Sequence, residues 1–199
     1  VAESRQSIPI LSNIYIKAEN NSISLIATDL EIELSFKINC DSINEQGETT
    51  VSARKIFDLT RSLEDETTLE FSLKDNQLTV TAKKFNGEFA ILPIQDFPVV
   101  EIDSFDLETS LSGKLLADLI DQTSFAMASQ DVRYYLNGIL VEIDGSNVNL
   151  VATDGHRLAW ASETLDKELN ESKLILPRKS ALELQKLLNP AKLTKGGIN

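Results

Sequence analysis

Apolar and polar residues alternate along much of the first hundred positions, which predicts a strand-rich fold. Residues 13–18 and 23–28 flank the polar stretch AENNS, an arrangement typical of a β-hairpin. Residues 30–38, LEIELSFKI, alternate strictly and predict a third strand. Two more alternating strands are expected on either side of a turn at 74–76, and GEFAILPI (87–94) predicts a further one.

Helical spacing interrupts the strands. After Ser52, a candidate N-cap, apolar residues recur with the period of an α-helix as far as Leu63. After Ser112, another candidate N-cap, apolar side chains four positions apart predict a helix to residue 124. The expected class is therefore α+β, with antiparallel sheets and few helices.

Two stretches of the chain, 125 residues apart, are alike. Residues 11–35 read LSNIYIKAENNSISLIATDLEIELS and residues 136–160 read LNGILVEIDGSNVNLVATDGHRLAW, and both contain Ala-Thr-Asp. Further on, VSARKIFDLTRSL (51–63) parallels ILPRKSALELQKL (175–187) at an offset of 124. The same order at nearly the same offset indicates a duplicated module of about 125 residues.

A proline and several acidic residues interrupt the pattern at 98–107 and predict a linker there. The expected domains are 1–105 and 106–199. The helix at 112–124 has no counterpart 125 residues earlier, and the last strands of the first module have none before the chain ends. The first module is therefore expected to lack its beginning and the second its end, as in a fragment of a longer protein.

Composition narrows the class of protein. Hydrophobic residues make up 42% of the chain and charged residues 25%, which supports a packed core and disfavours disorder. No signal-peptide pattern opens the chain, and the single Cys40 favours a reducing, cytosolic compartment. The net charge of -12 argues against gripping nucleic acid with the whole surface, but it is compatible with a local basic face.

The sequence offers little for catalysis. Asp154 and His156 suggest a hydrolase, but no Gly-x-Ser-x-Gly elbow accompanies them. One histidine and one cysteine cannot supply the usual metal ligands, and no phosphate-binding loop is present. No metal or cofactor is expected. A carboxylate enzyme and a scaffold that binds only peptides are the alternatives to a DNA-binding protein.

The segment ATDGHR is expected to be a strand end followed by a tight turn. Asp154 would bond local backbone amides, and Gly155 would take a positive φ. The first copy keeps Ala-Thr-Asp but has leucine and glutamate in place of Gly155 and His156. Residues particular to the second copy, from Gly155 to Leu158, are therefore candidates for a groove that binds a partner's apolar side chain.

Two tyrosines form the second unusual stretch. Tyr134 and Tyr135, beside Arg133 and near Gln130, could stack on bases or touch phosphates. Paired tyrosines are also ordinary strand formers that pack on a sheet. Both interpretations are compatible with the sequence.

Cations recur at equivalent positions of the two modules. Arg54 and Lys55 fall against Arg178 and Lys179, on the two matching helices of an otherwise acidic chain. Such residues commonly form a solvated helix face. Their repetition favours instead a shared surface that faces phosphates.

Several segments together resemble a known family. QDVRYYLNGIL, VATDGHRLA and PRKSALEL, in this order, resemble the middle domain of the bacterial sliding-clamp family, the beta subunits of DNA polymerase III. RQSIPILSNI, ATDLEIEL and SARKIFDL resemble the first domain of the same family. The resemblance covers residues 5–188.

The resemblance implies repeated sliding-clamp domains, with antiparallel sheets outside and two helices per complete domain on the inner face. Three domains per chain, in a head-to-tail homodimer, would form a ring around duplex DNA; the third domain is absent from this chain. The implied function is a non-catalytic, cytoplasmic processivity factor. Its partners would be the polymerase catalytic subunit, the clamp loader and other clamp-motif proteins, with neither a membrane nor a cofactor involved.

The resemblance also assigns residues. Its partner-peptide groove corresponds to Leu136, Thr153, Gly155, His156, Arg157 and Leu158. Its DNA-contacting positions correspond to Arg5, Gln130, Tyr134, Tyr135 and Lys179, and the helix argument adds Arg54, Lys55 and Arg178. The predicted helix at 112–124 is acidic, which leaves the basic lining to the other helix of each module.

Overall fold

The computed structural model describes residue 2 and residues 8–74, 76–83, 85–99 and 109–189. The chain divides into two compact units, residues 1–101 and 102–199. Most of the predicted linker at 98–107 lies outside the described residues.

The described residues of the first unit form two antiparallel sheets and one α-helix. One sheet has the order β3-β2-β1-β4 and consists of β1 (Asn13–Glu19), β2 (Ser22–Thr28), β3 (Glu33–Asn39) and β4 (Gly47–Ser52). The other consists, in chain order, of β5 (Glu70–Lys74), β6 (Gln77–Ala82) and β7 (Phe85–Ala90). The helix α1 (Ala53–Ser62) follows β4, and short 3-10 helices cover Pro9–Ser12 and Ile94–Asp96.

The second unit repeats the hairpin, sheet and helix of the first. Its elements are α2 (Gly113–Thr123), 3-10 helices at Ser124–Ala126 and Tyr134–Leu136, then β8 (Gly138–Asp144), β9 (Asn147–Thr153), β10 (Leu158–Thr164), β11 (Ser172–Pro177) and α3 (Arg178–Leu188). The sheet order is β10-β9-β8-β11, the counterpart of β3-β2-β1-β4. The duplication predicted from the sequence is thus present in the topology.

The core of the second unit lies between its sheet and its two α-helices. Ile139, Val148 and Leu150 point inward from β8 and β9 and are 0% exposed. They pack in one cluster with Ile120 of α2 and Ala181 of α3. Inward and outward side chains alternate on these strands, so one face is dry and the other is free to carry a binding site.

The third predicted strand begins three residues later than expected. The carboxylate of Asp29 accepts hydrogen bonds from the backbone amides of Glu31 and Ile32, at 3.0 and 2.9 Å. This turn occupies the residues between β2 and β3. The sheet therefore resumes only at Glu33, which pairs with Thr28.

Other predicted boundaries also shift. The strand expected at 87–94 runs from Phe85 to Ala90, because Pro93 and a 3-10 helix at Ile94–Asp96 follow it. Ser52 and Ser112 do precede α1 and α2, but neither of these two described serines makes a side-chain capping bond. Within the described ranges, no helix is long and apolar enough to cross a membrane.

Candidate functional site

Most predicted site residues of the second unit meet at one end of its sheet. There β9 and β11 end while β8 and β10 begin, so that Leu158 pairs with Thr153 and Pro177 pairs with Gly138. The 3-10 helix that ends at Leu136 leads into the same place. We call this region, defined by residues 130–138, 153–158 and 177–179, the sheet end.

The turn between β9 and β10 is built by side chains that bond the backbone. Thr153 Oγ1 donates to the carbonyl of Arg157 at 2.7 Å and accepts from the amide of Gly155 at 3.1 Å. Asp154 Oδ1 accepts from the amides of His156 and Arg157, each at 3.0 Å. Gly155 has φ +87°. The predicted architectural role of Asp154 and the predicted positive φ of Gly155 are confirmed.

The first unit contains the same turn. Thr28 Oγ1 accepts from the amide of Leu30 at 3.1 Å, and Asp29 binds the next two amides as Asp154 does. Leu30 occupies the glycine position and adopts φ +74°. The shared Ala-Thr-Asp therefore encodes the turn, while the residues after it differ between the two units.

The residues after Asp154 are open to solvent. Gly155, His156 and Arg157 are exposed, and the side chain of Leu158 is 65% exposed. Leu136, by contrast, is only 9% exposed. Of these two leucines, only Leu158 therefore offers substantial apolar surface to a partner.

Two contacts hold the Arg157 side chain. Its Nε donates to Asp154 Oδ2 at 2.9 Å, and its guanidinium carbon lies 5.7 Å from the centre of the Phe125 ring. Hydrogen bonds from the backbone amides of His156 and Arg157, and then from this guanidinium, hold the pKa of Asp154 below its ordinary value. The carboxylate is thus engaged by the amide of His156 in place of its imidazole, which removes the basis of the hydrolase interpretation.

Arg133 belongs to the sheet end, although the sequence did not single it out for the groove. Its guanidinium binds both oxygens of Asp131, with Nε at 3.0 Å and Nη2 at 2.8 Å. These side-chain bonds, with the Arg133 amide, lower the pKa of Asp131 to about 2. A β-carbon at Gly155 would lie 3.3 Å from Arg133 Nη2. Glycine therefore lets the arginine lie against the turn.

The two tyrosines are not strand residues, so the interpretation of them as strand formers packing on the sheet is wrong. Tyr134 and Tyr135 lie in a 3-10 helix and are 81% and 51% exposed, with their rings edge to face at 5.9 Å. Asn137 closes the loop, since its side chain accepts from the amide of Asp131 and donates to the carbonyl of the same residue. The strand consequently starts only at Gly138. The exposed rings, and exposed Gln130 nearby, remain candidates for DNA contact.

The basic residues of the two units differ in their contacts. Arg178 is half-buried, and its Nη1 donates to the carbonyl of Met127 at 3.2 Å. Lys179 follows it at the start of α3. In the first unit Arg54 and Lys55 are exposed on α1, with Arg54 Nε 2.9 Å from Asp58. Arg5, a further predicted DNA contact, lies outside the described residues.

Beside the sheet end, two residues beyond Leu158 on β10, lies an aromatic side chain to which the sequence assigned no role. Trp160 is 67% exposed and points to the same face of β10 as Leu158. Its indole Nε1 donates to Asn149 Oδ1 at 3.3 Å, a bond across to β9. Apolar surface therefore continues from Leu158 outward along the sheet.

Among the described residues, no group of three or more His, Cys, Asp or Glu side chains is arranged to hold a metal ion. A shallow cavity of about 380 Å³ lies near the opposite end of β10, lined by Thr109, Ser110, Lys167, Glu168, Leu169 and Asn170. It contains none of the predicted site residues.

Comparison with known families matches each unit separately. Residues 1–101 match the DNA polymerase III beta subunit, N-terminal domain, and residues 110–194 match its central domain. The beta sliding clamps of Vibrio cholerae and Pseudomonas aeruginosa are 43% and 44% identical over 185 and 191 residues, which is 93% and 94% of this chain. The chain spans about half the length of these curated relatives, 50% and 52%.

Solved structures agree with the sequence comparison. The DNA polymerase III subunit beta of Pseudomonas aeruginosa superposes with a TM-score of 0.88 at 42% identity, over 92% of this chain and 51% of that one. A structure of the sliding clamp of the same organism bound to griselimycin gives 0.87 at 43% identity, over 94% and 51%.

Proposed function

Because the chain belongs to the DNA polymerase III beta subunit family, we propose that it is part of a DNA sliding clamp. The observation that carries the proposal is the order of its two units, which match the first two consecutive domains of that subunit. The protein acts without catalysis. It encircles duplex DNA as a ring of two full-length chains, each with a third domain, and tethers the replicative polymerase to the template.

The charge distribution suits this role. A net charge of -12 keeps most of the surface from adhering to phosphates, so movement along DNA is not hindered by tight contacts. A few basic and aromatic residues face the duplex and touch its backbone without reading sequence. These are Gln130, Tyr134, Tyr135, Arg178 and Lys179 in the second domain and Arg5, Arg54 and Lys55 in the first.

Partner proteins dock at the sheet end of the second domain. The exposed Leu158 offers an apolar contact for the leucine or phenylalanine of a clamp-binding motif, and the exposed turn that begins at Gly155 leads into it. Leu136, Thr153, His156 and Arg157 complete this half of the groove, and the third domain supplies the rest. The partners are the polymerase catalytic subunit, the clamp loader and other cytoplasmic proteins that carry the motif.

Topological retention tests the ring. Full-length protein is loaded by its clamp loader and ATP onto a nicked circular plasmid, and bound protein is measured before and after the plasmid is cut once. A ring should slide off the free ends, so we expect retention on the circle and loss on the linear form. Equal retention on both forms would show ordinary binding and refute the clamp.

A pair of leucines tests the groove. The probe is a fluorescein-labelled peptide with the clamp-binding motif of the polymerase catalytic subunit, and griselimycin, bound by the Pseudomonas aeruginosa relative, serves as competitor. Leu158→Ala should weaken binding of the probe tenfold or more. It should change the free energy of unfolding by no more than about 0.5 kcal/mol, because Leu158 is exposed. Leu136→Ala, in contrast, should cost about 2–3 kcal/mol of stability, because Leu136 is buried. Unchanged affinity in Leu158→Ala would exclude the sheet end as the docking site.

A further inference from the structure

Phe125 is an apolar side chain in an unusual setting. It lies in the 3-10 helix Ser124–Ala126, where its neighbours Ala126 and Met127 are 0% and 3% exposed, yet Phe125 itself is 58% exposed. The core cluster of the second unit includes those two neighbours but not Phe125. Its ring therefore has little part in holding the fold together.

The ring instead faces the guanidinium of Arg157, 5.7 Å away, in the range where a cation is attracted to an aromatic face. The same guanidinium donates from Nε to Asp154 Oδ2 at 2.9 Å. Arg157 is thus held from two sides, by the turn on which it lies and by a residue 32 positions earlier in the chain. Two such contacts remove much of the conformational freedom that an exposed arginine otherwise keeps.

The outer edge of the guanidinium stays available. No acceptor among the described residues is hydrogen-bonded to Arg157 Nη1 or Nη2, and the side chain is 57% exposed. Leu158, the exposed leucine of the sheet end, is the next residue. An arginine fixed in this way presents two parallel donors to an oxygen acceptor beside the bound apolar side chain.

We infer that Phe125 is a positioning residue for partner binding, which holds Arg157 so that its Nη1 and Nη2 groups meet an oxygen acceptor of the docked peptide. The inference rests on the proposed groove. Phe125 adds to that groove a residue outside the turn. Arg157, held in this way, favours peptides that carry a hydrogen-bond acceptor next to their apolar residue.

The chain supplies a matched control. On α1 of the first unit, the guanidinium carbon of Arg61 lies 5.5 Å from the centre of the Phe57 ring, and Phe57 is 37% exposed. The contact resembles that of Phe125 with Arg157, but both partners are on one helix and neither belongs to a turn at a sheet end. The corresponding turn of the first unit has Ile32 at the position of Arg157.

The experiment measures binding of the fluorescein-labelled clamp-motif peptide to the full-length protein by fluorescence anisotropy. Phe125→Leu should raise Kd about two- to five-fold, the range for an exposed cation–aromatic contact. Phe125→Tyr, which keeps the ring, should restore affinity to near that of the unchanged protein. Phe57→Leu should leave it unaltered. In an Arg157→Ala background, Phe125→Leu should have no further effect, since there is no guanidinium left to position.

The inference is overturned, while the groove stays in place, if Phe125→Leu binds the probe as tightly as the unchanged protein. It is overturned equally if Phe125→Leu causes the same loss of affinity in the Arg157→Ala background as in the unchanged protein. A loss of affinity in Phe125→Tyr as large as that in Phe125→Leu would also count against the inference, because it would indicate a role in packing rather than a role of the ring face. Failure of the unchanged protein to bind the probe at all would instead refute the proposed groove. Thermal unfolding of each variant, expected to be unchanged, separates positioning from folding.

Discussion

At the scale of single residues, the two units solve one backbone problem differently. Both turns require a positive φ after Ala-Thr-Asp, and the second unit supplies Gly155 while the first places Leu30 there at +74°. A leucine in this conformation costs about 1–2 kcal/mol, because its Cβ crowds the backbone. In the first unit nothing among the described residues is seen to require a bare backbone at this point, whereas Arg133 lies against Gly155.

Leu30→Gly and Gly155→Ala should therefore have opposite effects on the free energy of unfolding. Leu30→Gly should raise the free energy of unfolding by about 0.5 kcal/mol, since relief of the strained φ exceeds the added entropy of the unfolded chain. Gly155→Ala should lower it by about 1 kcal/mol and displace Arg133. Denaturant unfolding of both variants checks this. A stabilising Gly155→Ala would mean that neither the φ nor the arginine restricts the position.

The ion pair of Asp131 and Arg133 should make the stability of the fold depend on pH in the acid range. Because the pKa of Asp131 is lowered to about 2, below its ordinary 3.8, its ion pair stabilises the fold above that ordinary value. That contribution is lost as the pH falls from about 4 to about 2. Thermal unfolding of Asp131→Asn should accordingly depend less on pH in this window than that of the unchanged protein. A slope in Asp131→Asn equal to that of the unchanged protein would contradict this prediction.

At the scale of elements, the sheet and hairpins could be predicted and the loops between them could not. Alternation marks β9 most clearly, because its inward residues Val148, Leu150 and Ala152 are buried and that burial fixes the period. The loop at 130–137 has no such period. Its shape depends on Asn137 reaching back to Asp131, a contact that spacing alone does not reveal. The contact between Phe125 and Arg157 escaped prediction for the same reason.

Arg178 connects one of these loops to a helix. It begins α3, its amide donates to the carbonyl of Asn137, and its guanidinium donates to the carbonyl of Met127. We expect Arg178→Gln to cost about 1–3 kcal/mol of stability, because it leaves a carbonyl near the core without this donor. Arg54→Gln, on the exposed face of α1, should stay within about 0.5 kcal/mol. Equal stability of the two variants, measured by thermal unfolding, would mean that Arg178 contributes only its charge and does not stabilise the fold.

At the scale of the whole molecule, the proposed clamp is an acidic protein, so its retention on DNA requires a cause other than electrostatic attraction. Acidic residues number 31 and basic residues 19 in this chain. Phosphate contacts from such a surface are few, and those that exist weaken as salt rises. In the proposed ring, retention depends on closure, while the basic residues only guide the duplex.

Raising the salt concentration should separate retention on DNA by ring closure from retention by contacts with phosphates. For the full-length protein loaded on circular DNA, raising salt from about 50 to about 200 mM should leave retention nearly constant. Residual binding to linear DNA should fall several-fold over the same range. Changing Arg54 and Lys55 to Glu should reduce the binding to linear DNA and leave the lifetime on circles unaltered. Parallel losses on both forms of DNA would show that attraction, not closure, retains the protein.

The position of Trp160 has a practical consequence. It is the one tryptophan of the chain, and its indole is 67% exposed on the face of β10 that Leu158 also occupies. Indole emission shifts to shorter wavelengths when water is removed from the ring. The intrinsic fluorescence of this chain therefore reports on the surroundings of this sheet without an attached dye. A ligand that covers this face of β10 should shift the emission of Trp160 to shorter wavelengths.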